Sequence, residues 1–187
     1  MSSDAGRQWA ADACYPAAIL SAALSIMHPT LFKRGMEGMK GLKEYADQSD
    51  RNMAKALTNW SSVFTNMQLI ANRLAPLHRD PNSHAPWFDL LCTIGEYEEG
   101  YMYMPSLGII LEYPPGTVVA FSGRLLRHGV NKVDGERYTM AYYMRPSVHR
   151  WLGVTRSHWV NIKNLRGTLM GSDSDDEEKG AGVDDNS

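Results

Sequence analysis

The stretch YPPGTVVAFSGRLLRHGVNKVDGERYTMAYYMR, residues 113–145, decides how this chain is read. It opens on a turn, with Pro115 and Gly116 where a type II turn wants a fixed φ and a positive φ. TVVAF follows, short and rich in β-branched residues, and the stretch closes on RYTMAYYMR. Period two puts Arg137, Thr139, Ala141 and Tyr143 on one face of that strand, and Tyr138, Met140 and Tyr142 on the other. An inward guanidinium is costly to bury unless something negative meets it. A cation and a hydroxyl pointing the same way inside a barrel make a clamp for a carboxylate.

Working outward, MQLIANR, WFDLLCTIG, YMYMP and GIILEY are likewise short, β-branched or aromatic, and separated by Gly, Pro or Asp. Many short strands with frequent turns indicate a sandwich or closed barrel. The first 60 residues read instead as helices. AAILSAALSIM is rich in Ala and Leu, with Pro16 suited to a first turn. In HPTLFKRGMEGMKGLKEYA, Phe32, Met36, Met39 and Leu42 recur every three or four residues and are expected to face the core. Ser49 and Asp50 are possible caps for the next helix. The expected organisation is one α+β, mainly β unit. It has a helical bracing region over 1–62, a β core over 63–150, a basic aromatic segment over 151–170 and a tail over 171–187.

The 187 residues are enough to bury a core, and 43% hydrophobic with 21% charged residues is ordinary for a globular chain. YPAAILSAALSIM has no basic segment before it and falls short of a membrane span, so neither signal peptide nor membrane partner is expected. Cys14 and Cys92 suggest neither a disulfide framework nor a zinc site. The net charge of −2 hides an asymmetry: residues 171–187 carry seven acids and one Lys, leaving 18 basic and 14 acidic residues elsewhere. Such a tail is expected to be disordered, or to act as a polyanion mimic that phosphorylation at Ser172 or Ser174 would strengthen.

In PLHRDPNS, residues 76–83, His78 and Asp80 are two apart, so on extended chain they share a face and can hold one ion. With six His in 187 residues, roughly 0.4 such His-x-Asp pairs arise by chance, so a third ligand is needed. His128, after TVVAF and before a Gly, supplies it. Two His and one carboxylate on one side of an octahedron is the arrangement of non-haem Fe(II) oxygenases, with zinc the other metal these ligand types accept.

HRD, then YPPGTVVAFSGRLLRHGV, then GERYTMAYYMR resembles the 2-oxoglutarate/Fe(II)-dependent dioxygenases, and more narrowly the TET/JBP nucleic-acid base oxygenases in their compact forms. The resemblance covers residues 64–150. It implies a double-stranded β-helix (jelly roll) core with N-terminal flanking helices. It also implies Fe(II) and 2-oxoglutarate as cofactors, and His78, Asp80 and His128 as both metal ligands and catalytic centre. Arg137 with Thr139 would bind the distal carboxylate of 2-oxoglutarate, with Arg145 the next candidate for that clamp. Arg73 would contact the carboxylate end at the metal, or simply be a surface residue. Some members carry an acidic residue five positions after the first ligand, where this chain has Ser83. His84 and Asp89 lie nearby without an assigned role.

The expected reaction is oxidation by O2 of a methyl group on a DNA base, 5-methylcytosine first and N6-methyladenine as the competitor, with the base flipped or unpaired. Residues 124–166 hold nine Lys or Arg against two acids, interleaved with His149, Trp151, His158 and Trp159. That pattern suits phosphates and bases, or simply a solvated rim. A hydroxylase of protein or small molecules and a non-catalytic DNA- or protein-binding relative are the remaining readings. A nuclear monomer is expected on the DNA reading.

Overall fold

The structure is a computed structural model describing residues 4–162. The expected acidic tail, Ser172, Ser174 and the end of the basic segment lie outside the described residues. Four helices come first: α1 (Asp4–Asp12), α2 (Cys14–Met27), α3 (Pro29–Ser49) and α4 (Arg51–Thr58). Then come β1 (Asn66–Ala71), β2 (Ala75–His78), β3 (Asp89–Glu98), β4 (Tyr101–Met104), β5 (Ile109–Glu112), β6 (Val118–Phe121), β7 (His128–Val130) and β8 (Asp134–Tyr143), with a short α5 (Pro146–Trp151) after them. The strands make two four-stranded sheets, ordered β1-β8-β3-β6 and β2-β7-β4-β5. Every pairing is antiparallel. Apart from the β4–β5 hairpin, the chain alternates between the sheets, which is the winding of a double-stranded β-helix. The fold is the α+β jelly roll that the resemblance implied.

β8 shows why this sequence builds two layers. Met140 and Tyr142, with Met144 just beyond the strand, face the helices and join Leu20, Leu24, Leu31 and Phe64 in one buried cluster. Leu24 and Leu31 have no exposed surface, and each such side chain is worth about 1.5–3 kcal/mol relative to exposure. Arg137, Thr139, Ala141 and Tyr143 line the cavity on the opposite side. A second cluster, Met102, Met104, Tyr113, Phe121 and Val130, fills the closed end between the sheets.

The helical layer keeps part of the expected stripe: Leu42 is buried and Phe32 packs against the core cluster, while Met36 turns outward and two glycines are buried as well. α3 buries Leu31, Gly35, Gly38, Leu42 and Ala46, and Met36 is 52% exposed. The reason is close backbone approach. A Cβ on Gly35 would lie 2.7 Å from the Val63 carbonyl oxygen, and one on Gly38 would lie 3.3 Å from His149 Nε2. Asp50 caps α4 as expected, accepting from the Asn52 and Met53 amides, whereas Ser49 ends α3. His28 caps α3 by accepting from the Leu31 amide at 3.3 Å, and its other ring nitrogen donates to the Pro86 carbonyl. That pair of bonds ties the helices to the loop that precedes β3. No single helix among the described residues is long and apolar enough to cross a membrane; α1 and α2 together pass on length and composition but are bent by 50°.

Candidate metal centre

A cavity of about 440 Å³ opens between the sheets. His78 ends β2 and His128 begins β7, and the two are register partners across the antiparallel pair. Fifty residues apart in sequence, they are thereby brought together with ring centroids 4.4 Å apart and planes tilted by 49°. Asp80 follows on the turn out of β2, where its amide donates to the Gly123 carbonyl at 2.9 Å. A Cβ on Gly123 would collide with the Asp80 carboxylate, so that position needs glycine for space.

His78 Nδ1 lies 2.7 Å from the Pro76 carbonyl and His128 Nδ1 lies 3.0 Å from that of Leu126. A carbonyl only accepts, so each Nδ1 carries the proton and each Nε2 keeps its lone pair. These Nε2 atoms stand 3.6 and 3.7 Å from the Asp80 oxygens, too far for hydrogen bonds. Burial pushes the His128 pKa down, with the Leu126 carbonyl and the Asp80 charge pulling the other way. Three electron-pair donors therefore face one point, all within 4.8 Å of one another. Ligand atoms about 2.0–2.2 Å from one ion lie about 3–4 Å apart, so the group can hold a divalent metal.

Arg137 stands deeper on the same cavity wall, only 3% exposed. Its guanidinium donates to the carbonyls of Asn131 and Arg73. No acidic side chain pairs with it among the described residues. Burial lowers its pKa, partly offset by Tyr97 and Tyr113. A buried cation whose protein partners are neutral calls for an anionic ligand, and Thr139 lies two residues along on the same lining. The residues present fit a dicarboxylate.

Sequence reasoning brought His78, Asp80, His128, Arg137 and Thr139 together, and all line this one cavity. Arg73 also lines it, exposed at the mouth, and supports Arg137 through its backbone carbonyl. Arg145 lines the cavity too, with its guanidinium 4.5 Å from the centre of the Tyr143 ring. His84 packs edge-on against Trp87. Of the aromatic residues proposed to meet DNA, His149 is buried without exposed surface, while Trp151 and Trp159 are more than half exposed.

Two supporting residues went unread, and Asp89 was noted without a role. Asn72, at a φ of 49°, accepts from the Arg137 amide and donates to Glu136; Asn tolerates that left-handed conformation. Asn131 presents the carbonyl that meets Arg137. Asp89, buried in the cavity wall, accepts from Ser83 at 3.0 Å, and burial pushes its pKa up to about 7, with Ser83 opposing and Asp80 reinforcing. A lone Asp at a strand start carries no signal of this, since the metal-side carboxylate that faces it comes from another element.

The profile of the Tet_JBP family, the oxygenase domain of the 2OGFeDO superfamily, matches residues 8–146. The chain belongs to the Tet_JBP family. It is thus an oxygenase domain of a superfamily that uses Fe(II) and 2-oxoglutarate. Among solved structures, it is similar to NgTET1 in complex with 5mC DNA at 16% identity and a TM-score of 0.42, over 70% of this chain and 59% of that one. The chain therefore spans about three-fifths of the length of that protein. No curated protein matches. For a Tet_JBP member, the donor triad and the uncompensated guanidinium have the chemistry that the two cofactors require.

Proposed function

We propose that this chain is an Fe(II)- and 2-oxoglutarate-dependent dioxygenase that oxidises the methyl group of a modified DNA base, principally 5-methylcytosine to 5-hydroxymethylcytosine. His78, Asp80 and His128 hold the metal. Arg137 with Thr139 receives the distal carboxylate of 2-oxoglutarate, and Arg73 meets its carboxylate end at the metal. One observation carries the proposal: a single cavity holds three converging electron-pair donors and a buried cation with no acidic partner among the described residues.

When bound, Fe(II) supplies O2 activation coupled to conversion of 2-oxoglutarate to succinate and CO2, with the second oxygen atom entering the substrate C–H bond. The chain orients and excludes. The Pro76 and Leu126 carbonyls hold both imidazoles with Nε2 inward. The Asn131 and Arg73 carbonyls aim the Arg137 guanidinium, and Phe121 packs edge-on against His128 at 4.7 Å, keeping water from its buried side.

The DNA substrate is supported by the cationic surroundings of the site. Arg73 and Arg145 line the cavity, and Arg79 and Arg124 lie exposed beside the ligands, bonded to the Leu125 and Pro81 carbonyls. Such groups neutralise phosphates. A methyl group inside a duplex cannot reach a cavity floor, so the nucleotide enters flipped or unpaired. Ser83 and Asp89 are among the polar wall groups available to read it. The same proposal takes residues 63–150 as catalytic core, braced by 1–62, in a monomeric nuclear protein.

The test incubates the iron-loaded protein with 2-oxoglutarate and oligonucleotides carrying 5-methylcytosine or N6-methyladenine, then measures nucleosides by mass spectrometry. 5-Hydroxymethylcytosine with matching succinate is expected. Formaldehyde release with unmodified adenine would move the substrate to N6-methyladenine. Turnover on a peptide or small molecule, with both bases intact, would end the DNA assignment.

A further inference from the structure

The two arginines beside the metal ligands, Arg79 and Arg124, are bonded in a pattern that phosphate binding does not need. Asp80 sits on the turn after β2 (residues 79–83), and His128 follows the loop between β6 and β7 (residues 122–127). Three hydrogen bonds cross between these two segments, and together they bracket Asp80. Arg79 donates through Nε to the Leu125 carbonyl at 2.9 Å, and the Asp80 amide donates to the Gly123 carbonyl at 2.9 Å. Arg124 donates in return through Nη1 to the Pro81 carbonyl at 3.0 Å. The loop on the far side is itself fixed, because the Leu125 and Leu126 amides both donate to the Ser122 carbonyl. Leu126 in turn holds His128 through its own carbonyl. The Asp80 carboxylate lies beyond hydrogen-bonding distance of either Nε2, so its place comes from the turn that carries it.

We infer that Arg79 and Arg124 are positioning residues of the metal centre, a crossed pair that sets the separation of Asp80 from His128. The inference rests on the proposed assignment of Asp80 and His128 as metal ligands. Two segments joined by a single amide bond can hinge about it, and bonds on either side of Asp80 remove that freedom. A ligand set held ready in this way gives up less conformational freedom when an ion binds. Each arginine commits one donor to a carbonyl and keeps the rest of its fork for solvent or phosphate. Both residues are exposed, and neither has an acidic partner among the described residues. Position and charge are therefore separable tasks of the same side chain.

Calorimetric titration of the metal-free full chain with Mn(II), in the absence of DNA, tests this. Arg79→Met removes both charge and donor, whereas Arg79→Gln removes the charge and keeps an N–H where Nε stood. Arg79→Met and Arg124→Met should each weaken Mn(II) binding roughly tenfold, the low end for residues that orient metal ligands. Arg79→Gln should bind Mn(II) as the wild type does. The visible absorption of the Co(II)-loaded chain should change shape in Arg79→Met and keep it in Arg79→Gln. A phosphate contact alone gives another pattern, in which both Arg79 variants lose DNA affinity, the salt slope falls by about one, and Mn(II) affinity is unchanged. Unchanged Mn(II) affinity in either Met variant would overturn the inference, and so would an equal loss in Arg79→Met and Arg79→Gln. A lower melting temperature of metal-free Arg79→Met with intact Mn(II) affinity would make the pair a staple between loops, which overturns it too. A wild-type chain that binds no divalent metal would overturn the proposed function as well.

Discussion

The two faces of the β1-β8-β3-β6 sheet are built from the same strands and follow opposite rules. On the helix side, Leu24, Leu31, Phe64 and Tyr142 close a nearly dry layer, and His28 has both ring nitrogens bonded. On the cavity side, the Arg137 guanidinium has no acidic partner among the described residues, and across the cavity two imidazole lone pairs from the other sheet face the Asp80 carboxylate. Within β8, strand alternation separates the two, since neighbouring residues serve opposite faces. The helix side supplies stability that the cavity side spends on being ready for a charged ligand.

The largest effect should come from removing a ligand. His78→Ala, Asp80→Ala and His128→Ala should each abolish succinate formation and sharply weaken Fe(II) binding while leaving the thermal transition cooperative. Full turnover by any one of them would strike that residue from the site. The opposite face should answer in the opposite way. Leu24→Ala should cost about 2–5 kcal/mol in denaturant unfolding and leave Fe(II) affinity untouched; equal damage to metal binding would break the division between the faces.

A smaller effect is expected at the buried cation. Arg137→Met should raise the KM for 2-oxoglutarate at least about tenfold, the order of 1.4 kcal/mol or more for a charge-assisted contact, without weakening iron binding. The unliganded variant should be no less stable than wild type, since an isolated buried charge is lost. If KM is unchanged, the clamp lies elsewhere, with Arg145 next in line.

The smallest concerns the exception on the helix side. His149 is buried against α3 and Trp87 with neither ring nitrogen bonded, and burial pushes its pKa below 6.5 despite the Glu37 charge. An imidazole held neutral in the fold but free to protonate when unfolded makes stability fall as pH drops below about 6.5. His149→Phe should flatten that fall by up to about 1.4 kcal/mol per pH unit, as read from unfolding midpoints between pH 7 and pH 5. Identical pH profiles would show that His149 protonates equally in both states.

How much of this was legible beforehand differs by element. The alternation in RYTMAYYMR announced both faces of β8, because a strand's period is set by backbone geometry whatever surrounds it. His-x-Asp announced, for the same local reason, that His78 and Asp80 would converge. The α3 stripe was right at Leu42 and Phe32 and wrong at Met36; it also missed Gly35 and Gly38, which bury their face by letting other elements come close, because a hydrophobicity pattern does not count glycine as core. His149 read as a basic-segment contact for the parallel reason: nothing local says that α5 turns it under α3.

By itself, then, the sequence determined the helix-then-strand order, the two faces of β8, the pairing of His78 with Asp80, and the placing of Arg137 and Thr139 on one face. All of these depend on residues a few positions apart, whose relative direction the local backbone dictates. Only the tertiary structure decided that His78 and His128 are register partners, that Gly123 makes room for Asp80, and that Asn131 and Arg73 aim Arg137. Each of those contacts joins segments separated by the winding between two sheets, and such distances are set by how the layers pack.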